Sequence, residues 1–548
     1  MGQKGIRRAT KSLRASAQRE LTLQGATERE IGIKREAPAG TPRFRDQDPL
    51  GLFIGTQRID VLLKQSGFSW VFTVRRLMRA LDWTPFYAQY STEGRPPYHP
   101  AVMGGVVVLG HLLGLKSLRQ LENFAAADMR CWWLTGGLIP DYSSFCNFFN
   151  RHRDLWTSHF FEDVTGRVVR ALQSDASFLG MDGTVVQSAA SAHHALSVEA
   201  AQHKATRARE RADAAPQETS EQKSVAKTLD AKAKKAERTA EIAKERDAAR
   251  SNQQKRKSPT TVTEHDPEAV NQPQKRGGHA PSYKPSVVVT KDRVITGQTV
   301  HPSNEAVQVP DLLDQSERVT GQKPHLVMAD AGYNVASVLN EAVARDLNFL
   351  CPQGRTHDED GDWTPDSKRI HKSQFKYHEK TNSYTCPQGR VLERYRHNAK
   401  HVEYRSVSCE GCPLRERCIK NGAQRSVTRV PEDEIREALH VVMQQPGARK
   451  MYKNRQTMPE PVFAELKGIQ GETRFRRFGL ANVRAEHAIH CAVHNIRRAL
   501  ARARRPVGAS AREDYAGRRA RIGRIGPEMV NQPTRPSPSC QQPWRTSR

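Results

Sequence analysis

Four residues near the carboxyl end of the chain combine one carboxylate with three side chains able to hold a phosphate. Tyr452 is followed after two residues by Arg455, after four more by Glu460 and after six more by Lys467. Apolar residues from Val462 onward recur at helical spacing, and Glu460 and Lys467, seven residues apart, share the opposite face. The pattern predicts a helix that points an acid and an ammonium in one direction.

The same segment also fits a purely structural role. Thr457 followed three residues later by Glu460 is a capping-box pattern in front of an apolar run. Pro459 and Pro461 are tolerated because they fall in the first helical turn. This segment alone therefore leaves helix capping and chemistry equally open.

The spacing resembles the Tyr-Arg-Glu-Lys signature of the DDE transposases of bacterial insertion sequences, in the form with four residues between Arg and Glu. In that family the glutamate is the third metal-binding carboxylate and follows two aspartates. The resemblance implies that Glu460 binds metal, that Tyr452 and Arg455 hold a phosphate, and that Lys467 contacts the DNA backbone. Such contacts position DNA without reading its sequence.

Two apolar segments upstream supply the aspartates. Residues 178–186 read FLGMDGTVV and residues 325–333 read HLVMADAGY, so each strand-like run carries one acid. A buried carboxylate without a partner is costly, so Asp182 is expected at the solvated end of its strand or on a cation. Both runs resemble the aspartate motifs of the family, which implies a catalytic, metal-binding triad of Asp182, Asp330 and Glu460. The alternative for Asp330 is to cap the helix that follows.

The order of elements predicts an α/β, RNase H-like catalytic domain over residues 173–500. The chain offers the Asp182 strand, a strand hairpin, the Asp330 strand, another short strand and the Glu460 helix. Many relatives carry Asn-Asp within the segment that corresponds to residues 301–305, where this chain has Asn-Glu. That segment is not expected to touch a metal ligand.

Residues 48–172 are predicted to form an all-α N-terminal DNA-binding domain. Helical patterns dominate there, and residues 98–152, with the letters YHP, SLRQLE and PDYSSF, resemble the N-terminal domain of the same family. Asp141 or Ser143 is predicted to cap a short helix that carries the Arg-His-Arg run at 151–153. A basic helix of this kind suits a helix-turn-helix-like contact with DNA.

Two insertions interrupt the predicted catalytic domain. Residues 195–262 are rich in Ala, Lys, Arg and Glu and are expected to form an exposed, charged helical insertion, with DNA binding or self-association as alternatives to a solvated surface. Residues 352–430 are polar and carry a Cys-x2-Cys knuckle, which suits one structural Zn²⁺, whereas reduced thiols are the alternative. The four cysteines are Cys386, Cys409, Cys412 and Cys418.

The composition favours a polyanionic partner. Lys and Arg number 87 against 59 Asp and Glu, which gives a net charge of +28 over 548 residues. The longest apolar run, 101–115, is shorter than the roughly 20 residues that span a bilayer, so no membrane partner is expected. The chain shows no secretory signal and an odd number of cysteines, so a cytoplasmic, nucleoid-associated protein is expected. The basic ends, 1–47 and 501–548, are expected to be a disordered arm and tail.

The resemblance implies a DNA transposase that acts on double-stranded DNA, at element ends and at target sites, in DNA transposition and recombination. Two cations, Mg²⁺ or Mn²⁺, roughly 3.5–4 Å apart would activate the nucleophile and stabilise the leaving oxygen. Paired cleavage of two ends implies a homodimer or a larger assembly. Two other classes stay open: a non-mobile RNase H-like nuclease, and a non-catalytic, zinc-containing DNA-binding regulator.

Overall fold

The computed structural model describes most of the chain between its two basic ends. The described residues are 41–274, 277–353, 370, 372–398, 401–419 and 422–504. The greater part of the predicted arm and tail therefore lies outside the described residues. Among the described residues, no helix has both the length and the apolar character needed to cross a bilayer.

Helices dominate the first third of the described chain, and a central sheet with flanking helices and two further units makes up the rest. Up to residue 172 the elements are β1 (Phe53–Ile54), β2 (Gln57–Arg58), α1 (Ile59–Gln65), α2 (Trp70–Ala80), α3 (Thr84–Tyr87), α4 (Pro100–Leu112), α5 (Leu118–Ala127), α6 (Met129–Thr135), α7 (Tyr142–Arg151), α8 (Arg153–Leu155) and α9 (Phe161–Leu172). The elements that follow are β3 (Phe178–Gly183), β4 (Val186–Gln187), β5 (Ala195–Ser197), α10 (Val198–Asp213), α11 (Ser220–Ala248), α12 (Asn252–Lys257), β6 (Thr261–Thr263), β7 (Val270–Pro273), β8 (His279–Thr290), β9 (Ile295–His301), α13 (Val309–Thr320), β10 (Leu326–Met328), α14 (Ala336–Ala344), β11 (Asn348–Leu350), β12 (Lys376–His378), β13 (Ser383–Thr385), β14 (Val391–His397), β15 (Val402–Ser406), α15 (Arg415–Cys418), β16 (Ser426–Arg429), α16 (Asp433–Gln444), α17 (Pro446–Lys453), α18 (Pro459–Gly468) and α19 (Leu480–Arg504).

The last residues of the predicted arm, 41–47, have a defined place on the helical part. The backbone of Arg45 donates to Pro97 O at 2.7 Å and accepts from His99 N at 3.2 Å. Its guanidinium carbon lies 3.8 Å from the centre of the Tyr98 ring. The prediction of disorder is therefore wrong for these residues, because local contacts that composition does not reveal fasten them.

The predicted basic helix of the N-terminal part is shorter than expected. Asp141, one of the two predicted caps, does cap α7, and its Oδ1 accepts from the backbone three residues on at 2.7 Å. The helix ends at Arg151, and His152 is completely buried, with its Nε2 2.9 Å from the Tyr90 hydroxyl. Arg153 begins the next short helix. The three residues therefore do not form one exposed face, because the chain turns inward at the histidine.

The central sheet has the order β11, β10, β3, β8, β9. Strand β8 is antiparallel to β3 and β9 is antiparallel to β8, whereas β10 and β11 run parallel to β3. The first half of β8 also pairs with β4 and β7, which extends the sheet beyond the end of β3. This mixed sheet fits an RNase H-like core preceded by a helical region, as the order of elements predicted.

The sheet is covered on both faces. Val287 and Val289 of β8 belong to the hydrophobic cluster that contains Val462 of α18. Val288, between them, belongs to the opposite cluster with Leu312 of α13. Side chains alternate between faces along a strand, so a strand buried on both sides reads as an uninterrupted apolar run.

One hydrophobic cluster joins the N-terminal helices to the sheet. Val107 of α4 and Trp156 lie in the same cluster as Val287 of β8 and Ile489 of α19. Helix α19 packs against both α4 and α9 and also against β9. The N-terminal helices therefore share a core with the central sheet and its helix α19.

Two further units are inserted into the part of the chain that forms the central sheet. Residues 198–248 form a helical hairpin of α10 and α11, whose facing alanines are buried and whose base is closed by the β5–β6 pair. Residues 376–429 form a five-stranded antiparallel sheet in the order β12 to β16. Tyr384, Leu392 and Tyr404 fill its small core. This sheet was not predicted from the sequence, because its strands are short and expose many charged side chains.

Candidate active site

Asp182 and Asp330 lie at the ends of neighbouring parallel strands. In the β3–β10 pair, Gly180 is opposite Met328, and the same register continued by two residues brings Asp330 level with Asp182. The carboxyl ends of parallel strands meet at one edge of a sheet. The two aspartates that the sequence analysis proposed as metal ligands therefore come together.

The charge of Glu460 affects the pKa of Asp182, so Glu460 lies near the two aspartates. Burial raises the pKa of Asp182 to about 6, although the guanidinium of Arg455 lowers it, and the charges of Asp330 and Glu460 raise it further. Arg455 Nη2 lies 3.1 Å from Asp182 Oδ1. The site therefore holds Asp182 within electrostatic reach of two further acids, with one guanidinium in contact with it.

Asp330 makes a capping bond, but not to the helix that the alternative required. Its Oδ1 accepts from Gly332 N at 2.9 Å, which caps the short 3-10 turn Ala331–Tyr333. The following helix, α14, starts after Val335 and has no side-chain cap. One carboxylate oxygen of Asp330 thus orders the turn directly behind the strand.

Glu460 lies in the first turn of α18, and its side chain is exposed. The capping box is absent, because Thr457 Oγ1 donates to Asn454 O at 2.8 Å and the cap position, Met458, makes no side-chain bond. The capping alternative for this segment is therefore wrong. Nothing among the described residues bonds to the Glu460 carboxylate, so it is available to a ligand.

Gly180 allows α18 to approach the strand that carries Asp182. A Cβ on Gly180 would stand 3.1 Å from Met458 Cβ and 3.2 Å from Pro459 Cδ. Both contacts are tight, so a larger residue would push the start of α18 away from β3. The sequence analysis did not assign Gly180 a role, although a glycine inside a strand is a recognised sign of close backbone approach.

The other three residues of the signature fasten the segments that carry the two aspartates. Arg455 is only 6% exposed and is held against Asp182. Tyr452 donates its hydroxyl proton to Ala329 O at 3.1 Å, next to Asp330, and burial raises its pKa to about 12. Lys467 Nζ donates to Thr184 Oγ1 at 2.5 Å and to Val185 O at 3.1 Å, in the loop just beyond Asp182.

The structure thus gives all three side chains partners within the protein. A phosphate-holding role for Tyr452, Arg455 and Lys467 stays a prediction. Glu465, the other acid of α18, is engaged elsewhere, with Oε1 3.2 Å from Arg497 Nε and Oε2 3.3 Å from His494 Nδ1. Its position on the far side of the helix separates it from Glu460.

A fourth carboxylate that the sequence analysis did not assign lies beside Asp330. The point where a Cβ of Gly332 would stand is 3.1 Å from Asp330 Oδ1 and 3.8 Å from Glu305 Oε1. Glu305 is paired with Lys284, whose Nζ lies 2.7 Å from Oε2. The segment 301–305 therefore borders the site, contrary to expectation. The sequence feature that could have indicated this is the Asn-Glu pair of this segment, where many relatives carry Asn-Asp.

The donor atoms of these residues suit metal ions, but their arrangement in the structure does not form a metal site. No group of three or more His, Cys, Asp or Glu side chains among the described residues already has the arrangement of a metal site. Asp182, Asp330 and Glu460 nevertheless supply only oxygen donors and an excess of negative charge, which is the donor set that Mg²⁺ and Mn²⁺ prefer.

The four cysteines of the inserted sheet lie near one another. Burial raises the pKa of Cys418, and the charges of Cys409, Cys386 and Cys412 raise it as well. Gly411 has a positive φ of 63° and forms the tight turn between Cys409 and Cys412. All four are free thiols. A structural Zn²⁺ at this place fits the donors but stays a prediction.

Comparison with known proteins gives two matches, both to transposase domains. Residues 378–500 match the family described as Transposase DDE domain, and residues 71–151 match the family described as Transposase domain (DUF772). The resemblance to DDE transposases is confirmed. Among curated proteins, none matches the chain. The transposase DDE match contains Glu460 and the rest of its signature, whereas Asp182 and Asp330 lie outside both matched ranges and are placed by the sheet.

Proposed function

We propose that the protein is a DNA transposase that binds the ends of an insertion sequence, cleaves them by metal-dependent phosphodiester hydrolysis and joins the 3′-hydroxyl ends to target DNA. The observation that carries the proposal is the meeting of three acids from distant parts of the chain. Asp182 and Asp330 end neighbouring parallel strands, and the charge of Glu460 acts on Asp182 from the start of α18. The two transposase-domain matches support the same activity.

The charge balance of the site supports a role for divalent cations. The Arg455–Asp182 contact is the one ion pair that the described residues give to the three acids, so a second source of positive charge is needed to hold them together. Asp182, Asp330 and Glu460 would hold two Mg²⁺ or Mn²⁺ ions. Bound there, such ions lower the pKa of an attacking water and offset the charge that develops on the phosphate.

The residues of the chain itself orient the acids and the substrate. Arg455 fixes the carboxylate of Asp182, and Tyr452 holds the backbone at Ala329, directly before Asp330. Water attacks the phosphorus at the element end and the P–O3′ bond breaks, which leaves a 3′-hydroxyl on the element and a 5′-phosphate on the flanking DNA. That hydroxyl then attacks a phosphodiester of the target DNA, and the 3′-oxygen of the cut target strand leaves. Both steps are in-line displacements that need fixed oxygens on either side of the phosphorus.

The proposed activity also determines which molecules the protein must bind. The substrate is double-stranded DNA, and the helical part around the matched range 71–151 reads the element ends. Two ends must be cut and joined together, which calls for a homodimer or a larger assembly. The place of action is the cytoplasm of the bacterium, on the nucleoid.

The proposal is tested by removing each acid without changing its size. Asp182→Asn, Asp330→Asn and Glu460→Gln should each abolish Mg²⁺-dependent strand cleavage of a duplex that carries the element end, while DNA binding in EDTA is retained. Glu434→Gln removes an exposed carboxylate of α16 and should leave cleavage unchanged. Near wild-type cleavage by any one of the three variants would remove that residue from the site.

The two other classes make different predictions. A nuclease that is not mobile would cut without preference for the inverted repeats that flank its gene, so preference for those repeats separates it from a transposase. A DNA-binding regulator would bind but not nick DNA. Nicking that requires Mg²⁺ and stops in EDTA excludes a regulator.

A further inference from the structure

A groove lined by cations runs between the two helices of the charged hairpin. It encloses a cavity of about 600 Å³. Small apolar side chains, among them Ala201 and Ala236, form its floor. We name it the cationic groove and define it by the basic side chains along its walls: Lys204, Arg207 and Arg211 of α10 with Lys232 and Lys235 of α11.

Charges on the hairpin are segregated between the groove and the opposite edge. At that edge Arg209 binds Glu237 at 2.7 Å and Asp230 at 2.9 Å, and Lys234 binds Asp230 at 2.8 Å. In the groove Lys204 is paired, with Nζ 2.6 Å from Glu264. The other four cations of the groove have no ion pair within the described part of the chain. An ordinary solvated helix face would mix both signs, as the opposite edge does.

The hairpin is fastened to the catalytic part. Arg246 of α11 donates to four backbone carbonyls at distances of 2.9 to 3.4 Å, and these belong to Thr261, Pro267, Glu268 and Ala269. The guanidinium thus uses most of its donors to hold the end of α11 against the segment that leads back to the sheet. The hairpin, and with it the groove, therefore has a defined position on the rest of the protein.

The same segment is bonded to the final helix. Asp266 Oδ1 accepts from Gly479 N at 3.0 Å, and Glu268 Oε2 accepts from Leu480 N at 2.6 Å. Both acids thus cap the start of α19, which packs against the sheet. The groove is therefore linked to the sheet that carries the acids in two steps, from Arg246 to residues 261–269 and from Asp266 and Glu268 to α19.

The hairpin also leaves the sheet on the side of the catalytic acids. Strand β4, which begins shortly after Asp182, pairs with β8 beyond the point where β3 ends. The insertion follows β4 and returns through β7, which pairs with the same part of β8. The base of the hairpin therefore lies beyond the same edge of the sheet as the acids, within reach of a duplex that extends from them in that direction.

We propose that the cationic groove binds the sugar–phosphate backbone of the DNA that the active site cuts, at a distance from the cleaved phosphate. The proposal rests on the function proposed above and adds a second contact region to it. Unpaired guanidinium and ammonium groups on both walls suit a chain of phosphates. The contact carries no sequence information, because the groove offers charge and no pattern of donors and acceptors for base edges.

The test replaces the four unpaired groove cations and compares them with four cations elsewhere on the hairpin. The groove variant is Arg207→Gln, Arg211→Gln, Lys232→Gln, Lys235→Gln, and the control variant is Lys223→Gln, Lys227→Gln, Arg238→Gln, Lys244→Gln. Both remove four charges from exposed positions on the same hairpin. Binding to element-end and random duplexes is measured in EDTA at several salt concentrations, and thermal unfolding verifies that each variant is folded.

The groove variant should lose about 3.6 units of the salt slope, on end and random duplexes alike, because each of the four phosphate contacts contributes about 0.9. The control should lose less than one unit. Equal slopes for the two variants, or a groove variant that binds like wild type, would overturn the proposal. A wild type that binds no duplex would overturn it as well.

Failure of the groove and failure of the proposed function give different results. If wild type cuts an end duplex in Mg²⁺ while the groove variant keeps its salt slope, the groove proposal alone fails. If wild type binds in EDTA with a slope that depends on the groove but cuts nothing in Mg²⁺, the groove stands and the transposase activity fails.

Discussion

Arg455, a residue that is only 6% exposed, places its Nη2 3.1 Å from Asp182 Oδ1. The same group donates to Met181 O at 3.4 Å. The arginine of the signature thus holds the strand end that carries the first aspartate. Together with Tyr452 at Ala329 O and Lys467 at Thr184 Oγ1, it makes the segment around Glu460 a clamp on both aspartate segments.

Arg455→Gln should therefore damage chemistry more than binding. Asp182 would lose its partner in a largely buried place, and breaking such a pair has a high energetic cost. Cleavage should fall by about a hundredfold or more, whereas the salt slope of duplex binding should stay unchanged. Lys450→Gln, which removes an exposed cation of α17, should not affect cleavage. A slope about one unit shallower for Arg455→Gln would instead identify a direct phosphate contact.

Gly180→Ala should lower cleavage by about tenfold or more while the protein stays folded. The added Cβ would press on Met458 and Pro459 and shift the start of α18 by several tenths of an ångström, which misplaces Glu460 relative to Asp182. Gly468→Ala, at the other end of the same helix, meets no atom within 4 Å and serves as the control. Equal activity of both variants would mean that the spacing between β3 and α18 is not critical.

Glu305→Gln should reduce cleavage and also destabilise the fold, because Lys284 loses its carboxylate partner. Adding Lys284→Met removes the unpaired ammonium and should restore the melting temperature without restoring cleavage. Melting temperature and cleavage, measured together, show whether Glu305 only stabilises the fold through its ion pair or also acts in the site. Recovery of cleavage in the double variant would assign Glu305 to stability alone.

The cysteine-bearing sheet should contain one zinc ion per chain. Elemental analysis of the purified protein checks the content, and Cys409→Ser with Cys412→Ser should remove it and destabilise the sheet. Cys146→Ser, in α7 of the N-terminal part, should leave the content unchanged. A protein that is folded and active without zinc would contradict the prediction.

Acid should destabilise the contact between α4 and α19. Burial lowers the pKa of His111 to about 4 and lowers that of His490 as well, and their rings lie 5.2 Å apart. Protonation then favours the unfolded chain, so the free energy of unfolding falls as the pH drops from about 6.5 towards 4. For His111 the loss is up to about 3 kcal/mol.

Thermal unfolding at pH 7 and pH 5 tests this effect. His111→Gln should show a smaller difference between the two melting temperatures than wild type, because the glutamine does not titrate. His203→Gln, at an exposed position of α10, should keep the wild-type difference. An unchanged difference in His111→Gln would exclude the histidine as the cause.

Patterns confined to one segment predicted much of the fold. The strands around Asp182 and Asp330, the hairpin of β8 and β9 and the last helix all follow from local apolar runs. The order of these elements then fixes an RNase H-like arrangement, because parallel and antiparallel neighbours are limited by the connections between them. Bringing Asp182 level with Asp330 needed only that topology.

Contacts between distant segments could not be predicted in the same way. The close approach of Gly180 to Met458 and the binding of Arg455 to Asp182 join residues more than 270 positions apart. Their existence depends on the packing of α18 on β3, which no local pattern encodes. The β12–β16 sheet was missed for another reason, since its small tyrosine-rich core is hidden in a polar composition.

The N-terminal helices share a core with the sheet, so under the proposed function the part that reads the element ends does not hinge freely relative to the acids. A freely hinged reader would accept variable distances between its recognition sequence and the cut. With the two parts joined through α19, one added base pair would turn the scissile phosphate about 35° around the duplex axis. Natural ends of the element should therefore keep a constant number of base pairs between the recognised sequence and the cleaved bond.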